Sequence, residues 1–135
     1  MAIHLHTRQH CVYALTYHLV MVTKYRRPVL TPALRTEVFA LARERATQWS
    51  GEVLEANGES DHIHLLLALP PHRAVADFVN VLKTNTSRLL RKKHPEHFAR
   101  FYREPVLWSL SYCILSVGGA SLDVLKQYIE QQDTS

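Results

Sequence analysis

Cysteine is scarce in this chain: two in 135 residues, Cys11 and Cys113, both inside apolar runs. They lack the CxxC spacing of a zinc knuckle or a redox pair, and read as small buried hydrophobes in a reducing compartment. Long apolar runs are missing too, since none reaches the ~20 residues that a membrane-spanning helix needs. No secretory pattern opens the chain, because Met1-Ala2-Ile3-His4 leads into polar, His-rich sequence. The expected location is therefore the cytoplasm. Repeats, low-complexity tracts and linkers are absent as well, so one domain over residues 1–135 is expected. Neither sign of charge dominates: 16 Lys and Arg stand against 12 Asp and Glu, for +4 and a pI near 9.3. That modest excess suits a polyanion such as nucleic acid without requiring one.

What is present is a regular alternation of strand and helix patterns. Residues 1–10 read as a loose lead-in. From Cys11 to Val22 the chain is aromatic or β-branched with few breaks, which predicts a long strand. The basic run Lys24-Tyr25-Arg26-Arg27-Pro28 ends it. Thr31 before Pro32 is an N-cap followed by proline at the first helical position, opening a helix to about Trp49, with Gly51 as its stop. Glu52 to Ala56 predicts a second strand, Asn57-Gly58 a hairpin turn, and His62 to Leu69 a third strand closed by Pro70-Pro71. A second helix is expected from about Ala74 to Lys93. Its apolar stripe is Val75, Phe78, Val79, Leu82, Leu89 and Leu90, and a polar stripe carries Lys83, Arg88 and Arg91. A fourth strand follows around Tyr112 to Val117. After Gly118-Gly119, Ser121 caps a final helix through about Gln132.

The order β-α-β-β-α-β-α begins as a split βαβ unit. The expected fold is α+β and ferredoxin-like: an antiparallel sheet with helices on one face. The other face is left for the final helix, for a substrate, or for both.

His62 and His64 flank Ile63 on a strand, so their side chains share one sheet face and can converge on one ion. Two histidines on a solvated face is the plainer reading, but an unligated pair fits poorly in an otherwise apolar strand. His4 and His6 have the same spacing inside the lead-in, where a solvated tail is the better reading. On the final helix Tyr128 and Gln132 are spaced i, i+4 and share a face. If that face meets the open side of the sheet, Gln132 could add an amide oxygen to the imidazoles, and Tyr128 would point at a substrate atom beside the ion. Taken alone, Tyr128 reads better as an amphipathic residue packed at the helix base. Two imidazoles and one neutral oxygen leave positions that Mg²⁺ or Mn²⁺ can fill with phosphate oxygens and water. A phenol, with a pKa of ~10, is a reachable nucleophile near a cation. Its phosphodiester product also keeps the energy needed to rejoin a strand.

His62-Ile63-His64 resembles the HUH motif, in which U is apolar. Tyr128-Ile129-Glu130-Gln131-Gln132 resembles the nucleophile helix of the single-tyrosine HUH transposases of small bacterial and archaeal insertion sequences, the IS-two-hundred-like group. Tyr17-His18-Leu19-Val20, Thr23-Lys24-Tyr25-Arg26-Arg27, Ser60-Asp61-His62-Ile63-His64 and Leu107-Trp108-Ser109 match that family in order and spacing. The departure is Ser60, where many relatives have proline. The resemblance implies a metal site of His62, His64 and Gln132, with Tyr128 as the nucleophile carried on the C-terminal helix. It implies cleavage of single-stranded DNA with a 5′-phosphotyrosine link and a free 3′-OH, and recognition of hairpins near element ends. It also implies a homodimer whose tyrosine helix can complete the partner's site in trans. Gly118-Gly119 is then either a hinge for that helix or a plain strand-to-helix turn.

Candidate DNA contacts are Lys24, Arg26 and Arg27 around Tyr25, and Lys83, Arg88 and Arg91 on the second helix, where cations beside an aromatic suit phosphates and stacked bases. Two rival readings are a non-catalytic nucleic-acid-binding module on the same fold and a replication-initiation or relaxase-type HUH nuclease. The intact His62, His64, Tyr128 and Gln132 set disfavours the first; the short chain with one tyrosine on the last helix disfavours the second.

Overall fold

A computed structural model describes residues 6–8, 11–13, 15–117 and 129–131. Strands β1 (His6–Arg8) and β2 (Cys11–Tyr13) pair antiparallel as a small separate sheet. The main sheet comprises β3 (Thr16–Thr23), β4 (Glu52–Glu59), β5 (His62–Ala68) and β6 (Trp108–Ser116), in the order β4-β5-β3-β6 with every neighbour antiparallel. Helices α1 (Pro32–Gln48) and α2 (Val75–Lys93) make the two crossovers, and short α3 (Pro95–Ala99) precedes β6. This is the ferredoxin-like arrangement, as expected from the alternation of patterns.

The long first strand divides in two because its halves find different partners. Cys11–Tyr13 pairs with the supposed lead-in, whereas Thr16–Thr23 lies between β5 and β6. The hairpin turn also moves. Asn57 and Gly58 lie inside β4, opposite His64 and Ile63, and the turn falls at Ser60-Asp61. A Cβ on Gly58 would stand 2.6 Å from the His62 carbonyl oxygen, so the glycine serves a close strand approach, not a turn. At the end of α1, Ser50 takes the left-handed conformation (φ 63), and Gly51 sits where a Cβ would collide with the Ala68 carbonyl.

Alternation splits β3 and β5 between two faces. Leu19, Met21, Ile63, Leu65 and Leu67 meet Leu34, Val38, Ala42 and Ala46 of α1 and Phe78, Val79, Leu82 and Leu90 of α2 in the main core. Burying one such aliphatic side chain stabilises by roughly 1.5–3 kcal/mol, so this face dominates the fold's stability. The expected N-cap forms, with the Leu34 amide donating to Thr31 Oγ1 at 3.2 Å. Leu89 departs from the predicted apolar stripe, since it remains exposed beside α1. Beyond the His94-Pro95 stop, Pro95 starts α3 because proline fits a first helical turn. Phe98 and Tyr102 thereby reach the core.

The opposite face is smaller and mixed. Val20 and Val22 are buried there, with Cys113, Leu115 and Ile129 packed against them. Cys113 is half-buried, and burial pushes its thiol pKa up, so it behaves as the inert small hydrophobe expected. Cys11's side chain, Gly118-Gly119, and both Tyr128 and Gln132 lie outside the described residues.

Candidate active site on the open sheet face

His62 and His64 project from β5 onto the face that α1 and α2 do not cover, while Ile63 between them points into the core. The Ser60-Asp61 turn puts a carboxylate directly before the strand. Asp61 Oδ1 lies 2.9 Å from His62 Nδ1. A donated Nδ1–H there holds the ring orientation and leaves Nε2 as the acceptor nitrogen, the usual support of a metal-binding imidazole. Burial raises the Asp61 pKa, but the His62 hydrogen bond and the Arg26 charge outweigh it, and the carboxyl stays below its ordinary value.

His64 is held differently. Its Nε2 lies 2.9 Å from Nδ1 of His18, which enters from β3, and the rings are tilted by 34° at 5.1 Å between centroids. Burial and the neighbouring His18 and His62 push the His64 pKa down, against a smaller opposite pull from Glu55. His64 is therefore a neutral imidazole at neutral pH, the form that ligates. His18 had no part in the sequence-derived site, although alternation along β3 puts it on the same face as Val20 and Val22. The diagonal meeting of His18 with His64 depends on the β3–β5 register, in which His64 pairs with Val20.

Among the described residues, no cluster of at least three His, Cys, Asp or Glu side chains could hold a metal ion by itself. The imidazoles of His62 and His64 suit a divalent ion in donor type, with His64 Nε2 able to ligate once it exchanges its His18 contact for the ion, but further oxygen donors are needed. Residues 129–131 form a helical turn, and the Ile129 side chain packs beside Val20 and Val22 on this face. Residues 129–131 thus reach the histidine face of their own chain, directly after Tyr128 in sequence.

The candidate DNA contacts fall into two groups. Lys24, Arg26 and Arg27 form a tight turn at the end of β3, next to the Asp61 turn, with the Thr23 amide donating to the Asp61 carbonyl at 2.9 Å. Lys24 Nζ and the Arg27 guanidinium stand 5.3 and 5.7 Å from the ring centre of exposed Tyr25, both within cation–π range. The Arg26 guanidinium turns inward to Asp61 and to the Ile129 carbonyl. Lys83 donates to the Ser109 and Leu110 carbonyls at 2.7 and 3.1 Å, and burial lowers its pKa. Arg88 lines a groove between α1 and α2, and Arg91 donates to Ser87 Oγ within its own helix. Both belong to the helix side of the sheet, away from the histidines. Arg100 and Arg103 stand outside the DNA contacts expected from the sequence. They join Tyr25, Arg27 and Phe101 around an open cleft of about 490 Å³. Beside it, Tyr102 is locked by donating to the Lys24 carbonyl at 2.8 Å, and burial pushes its phenol up to about 12. Only the clustering of arginines after α3 hinted at this cleft, because chain folding is needed to bring them to Tyr25.

A histidine pair on the open face of a ferredoxin-like sheet, with a helix turn seated beside it, is the arrangement of the HUH class. Comparison with known proteins agrees: the family model described as "Transposase IS200 like" matches residues 11–132. The chain belongs to this IS200-like transposase family. It is 36% identical to the ISDra2 transposase TnpA of Deinococcus radiodurans over 121 residues, 90% of this chain and 86% of that protein. It is 32% identical to the transposase for insertion sequence element IS200 of Salmonella typhimurium, over 94% of this chain and 80% of that one. A crystal structure from Deinococcus radiodurans, assigned as a transposase, superposes with a TM-score of 0.84 at 33% identity, covering 96% of this chain and 99% of that one. A tyrosine transposase solved with a REP hairpin shares the fold at a TM-score of 0.56 and 11% identity, over 90% of this chain and 67% of that one. Among the described residues, no helix is long and apolar enough to cross a membrane.

Proposed function

We propose that this transposase cleaves and rejoins single-stranded DNA at insertion-sequence ends, with Tyr128 as nucleophile and His62, His64 and Gln132 around a divalent ion, Mg²⁺ or Mn²⁺. The observation that carries the reading is the pairing of an Asp61-oriented His62 with a neutral His64 on the face where Ile129 packs. A bound ion would polarise the scissile phosphate and offset charge developing on it. The chain's own residues do the rest. The Tyr128 phenolate oxygen attacks phosphorus and the P–O3′ bond breaks. The departing 3′ oxygen takes up from solvent the proton that the phenol released to it, leaving a 5′-phosphotyrosine. Attack by a 3′-OH on that ester reverses the step and restores the phenol. Asp61 keeps His62 in the ligating tautomer throughout.

Hairpin DNA is the proposed substrate. Lys24, Arg27, Arg100 and Arg103 supply positive charge around Tyr25 for a backbone with an unpaired base, while Arg88 and Arg91 are placed for a duplex wrapping toward the helices. The protein would work in the cytoplasm as a homodimer, with the tyrosine helix seated on this face from its own chain or from the partner.

The test is incubation with Mg²⁺ and a hairpin-bearing single-stranded oligonucleotide from the element's end, followed by a denaturing gel. A covalent adduct is expected, lost in Tyr128→Phe and on chelation; an adduct that persists in Tyr128→Phe would overturn the nucleophile. Mixing Tyr128→Phe with His64→Ala chains recovers cleavage only if sites are completed across the dimer.

A further inference from the structure

Arg26 joins two parts of the site that lie far apart in sequence. Its Nη1 donates to the Ile129 carbonyl at 2.6 Å. Its Nε and Nη2 donate to Asp61 Oδ2 at 3.0 and 2.9 Å. The other oxygen of that carboxylate, Oδ1, faces His62 Nδ1 at 2.9 Å. A continuous line of hydrogen bonds thus runs from the backbone of residue 129, through Arg26 and Asp61, to the His62 imidazole. We propose that Arg26 is a positioning residue: a strap that fixes the helix turn at 129–131, which follows Tyr128 directly in sequence, in register with His62. The proposal rests on the roles given above to Tyr128 and His62.

The chemistry requires arginine. A planar guanidinium offers divergent donors in a fixed fork, so it can hold a carboxylate on one edge and a carbonyl on the other, whereas a lysine ammonium is a point charge on a flexible stem. The backbone is also committed to aiming it. Tyr25 and Arg26 have φ of 56° and 51°, two successive non-glycine residues in the sterically poor left-handed region. Such conformations persist where the surroundings over-determine them. Here the Lys24 amide donates to the Leu107 carbonyl at 2.8 Å, Tyr102 Oη donates to the Lys24 carbonyl at 2.8 Å, and Thr23 Oγ1 donates to the Arg27 carbonyl at 2.7 Å. The turn is pinned on both sides of Arg26, and the side chain is directed over the open sheet face.

The apolar seat alone does not define a register. Ile129 resting on Val20 and Val22 holds the turn against the sheet, but apolar contact is non-directional. The carbonyl bond to Arg26 adds direction. It also ties that direction to Asp61, the group that orients His62. A phosphate-binding arginine would present its fork to solvent. Arg26 is mostly covered, with 23% of its side chain exposed.

The test compares wild type with Arg26→Lys as full chains, with Arg26→Gln as the second variant whether or not the lysine form folds. Three quantities are measured: affinity for a hairpin-bearing single-stranded oligonucleotide, the single-turnover rate of adduct formation in Mg²⁺, and hydrogen exchange of the peptide spanning 129–131 without DNA. Expected are an affinity within about twofold of wild type, a rate lowered roughly 10- to 100-fold as for a misplaced reacting group, and faster exchange at 129–131. Adding Asp61→Asn to Arg26→Lys slows the rate less than the product of the single effects, because the two residues act through one connection. In Arg26→Gln, made in either case because it removes the charge, a loss of affinity with a salt dependence shallower by about one unit, at unchanged exchange, would instead make Arg26 a phosphate contact and overturn the strap. If wild type forms no adduct, the nucleophile reading fails while the exchange comparison still decides the strap: unchanged exchange refutes it, and faster exchange upholds it.

Discussion

The two faces of one sheet obey opposite rules. On the helix-covered face, Leu19, Met21, Ile63, Leu65 and Leu67 are fully buried and make only apolar contacts with α1 and α2. On the open face, the same strands carry His18, His62 and His64 around a small patch of Val20 and Val22. Strand alternation generates both from one stretch of chain. The first face holds the fold together. The second is left uncovered by α1 and α2 and carries the candidate site, whose polar groups are kept in place by specific hydrogen bonds.

Neighbouring substitutions on β5 should separate the two roles most sharply. His64→Ala is expected to lower DNA cleavage roughly 100-fold or more, above the 10- to 100-fold typical of a ligand's supporting group, while costing only about 1 kcal/mol in stability. Ile63→Ala should do the reverse: a loss of about 2–5 kcal/mol from cavity formation, with cleavage retained at temperatures where the protein stays folded. Urea unfolding and the adduct assay, run side by side, measure both. Equal stability losses would mean that the faces are not distinct in the way described.

A smaller effect is expected one position earlier. Asp61→Asn keeps the shape of the side chain but loses its charge, and should weaken Mn²⁺ binding by about 10- to 100-fold, read by calorimetry on the DNA-free protein. Unchanged Mn²⁺ affinity would remove Asp61 from the support of His62.

Gly58→Ala tests the edge where the faces meet. Its Cβ would approach the His62 carbonyl to 2.6 Å. Forcing β4 and β5 apart should cost roughly 1–3 kcal/mol and should also reduce cleavage, because His62 moves with the strand. Thermal melts showing no loss of stability would return Gly58 to the role of a dispensable turn residue.

The smallest effect lies on the helix side. Glu37 bonds Lys93 at 2.7 Å and His94 at 2.8 Å, linking α1 to the end of α2. Its pKa is lowered chiefly by the Lys93 hydrogen bond, against a smaller opposing effect of burial. A depressed carboxylate pKa stabilises the fold above the ordinary value of 4.5 and loses that contribution as pH falls through the folded-state value. Glu37→Gln should thus cost a few tenths of a kcal/mol, up to about 1, at pH 7, and the difference from wild type should vanish in acid. Cleavage should be unaffected. A gap that widens below pH 4.5 would contradict the assignment.

Much of this was legible in the sequence because it is periodic and local. Alternation from His62 to Leu69 separated the histidine face from the core face, and the Thr31-Pro32 pair marked the start of α1. The hairpin was misread because Asn57-Gly58 has turn chemistry, yet the close approach of β5 at the His62 carbonyl claims the glycine for the strand. The basic residues were legible as a class but not as individuals. Lys24 and Arg27 stack about Tyr25, Arg26 turns to Asp61 and Ile129, and Lys83 binds carbonyls of β6.

By itself the sequence determined the order of elements, the class of fold, and the placing of His62 and His64 on one face, since side-chain periodicity follows from backbone geometry within a single strand or helix. Only the tertiary structure decided that His18 meets His64, that Tyr25 and Arg27 join Arg100 and Arg103 at one cleft, and that Arg26 spans from Asp61 to residue 129. Each of these depends on strand register and on contacts between distant segments, which no local pattern encodes.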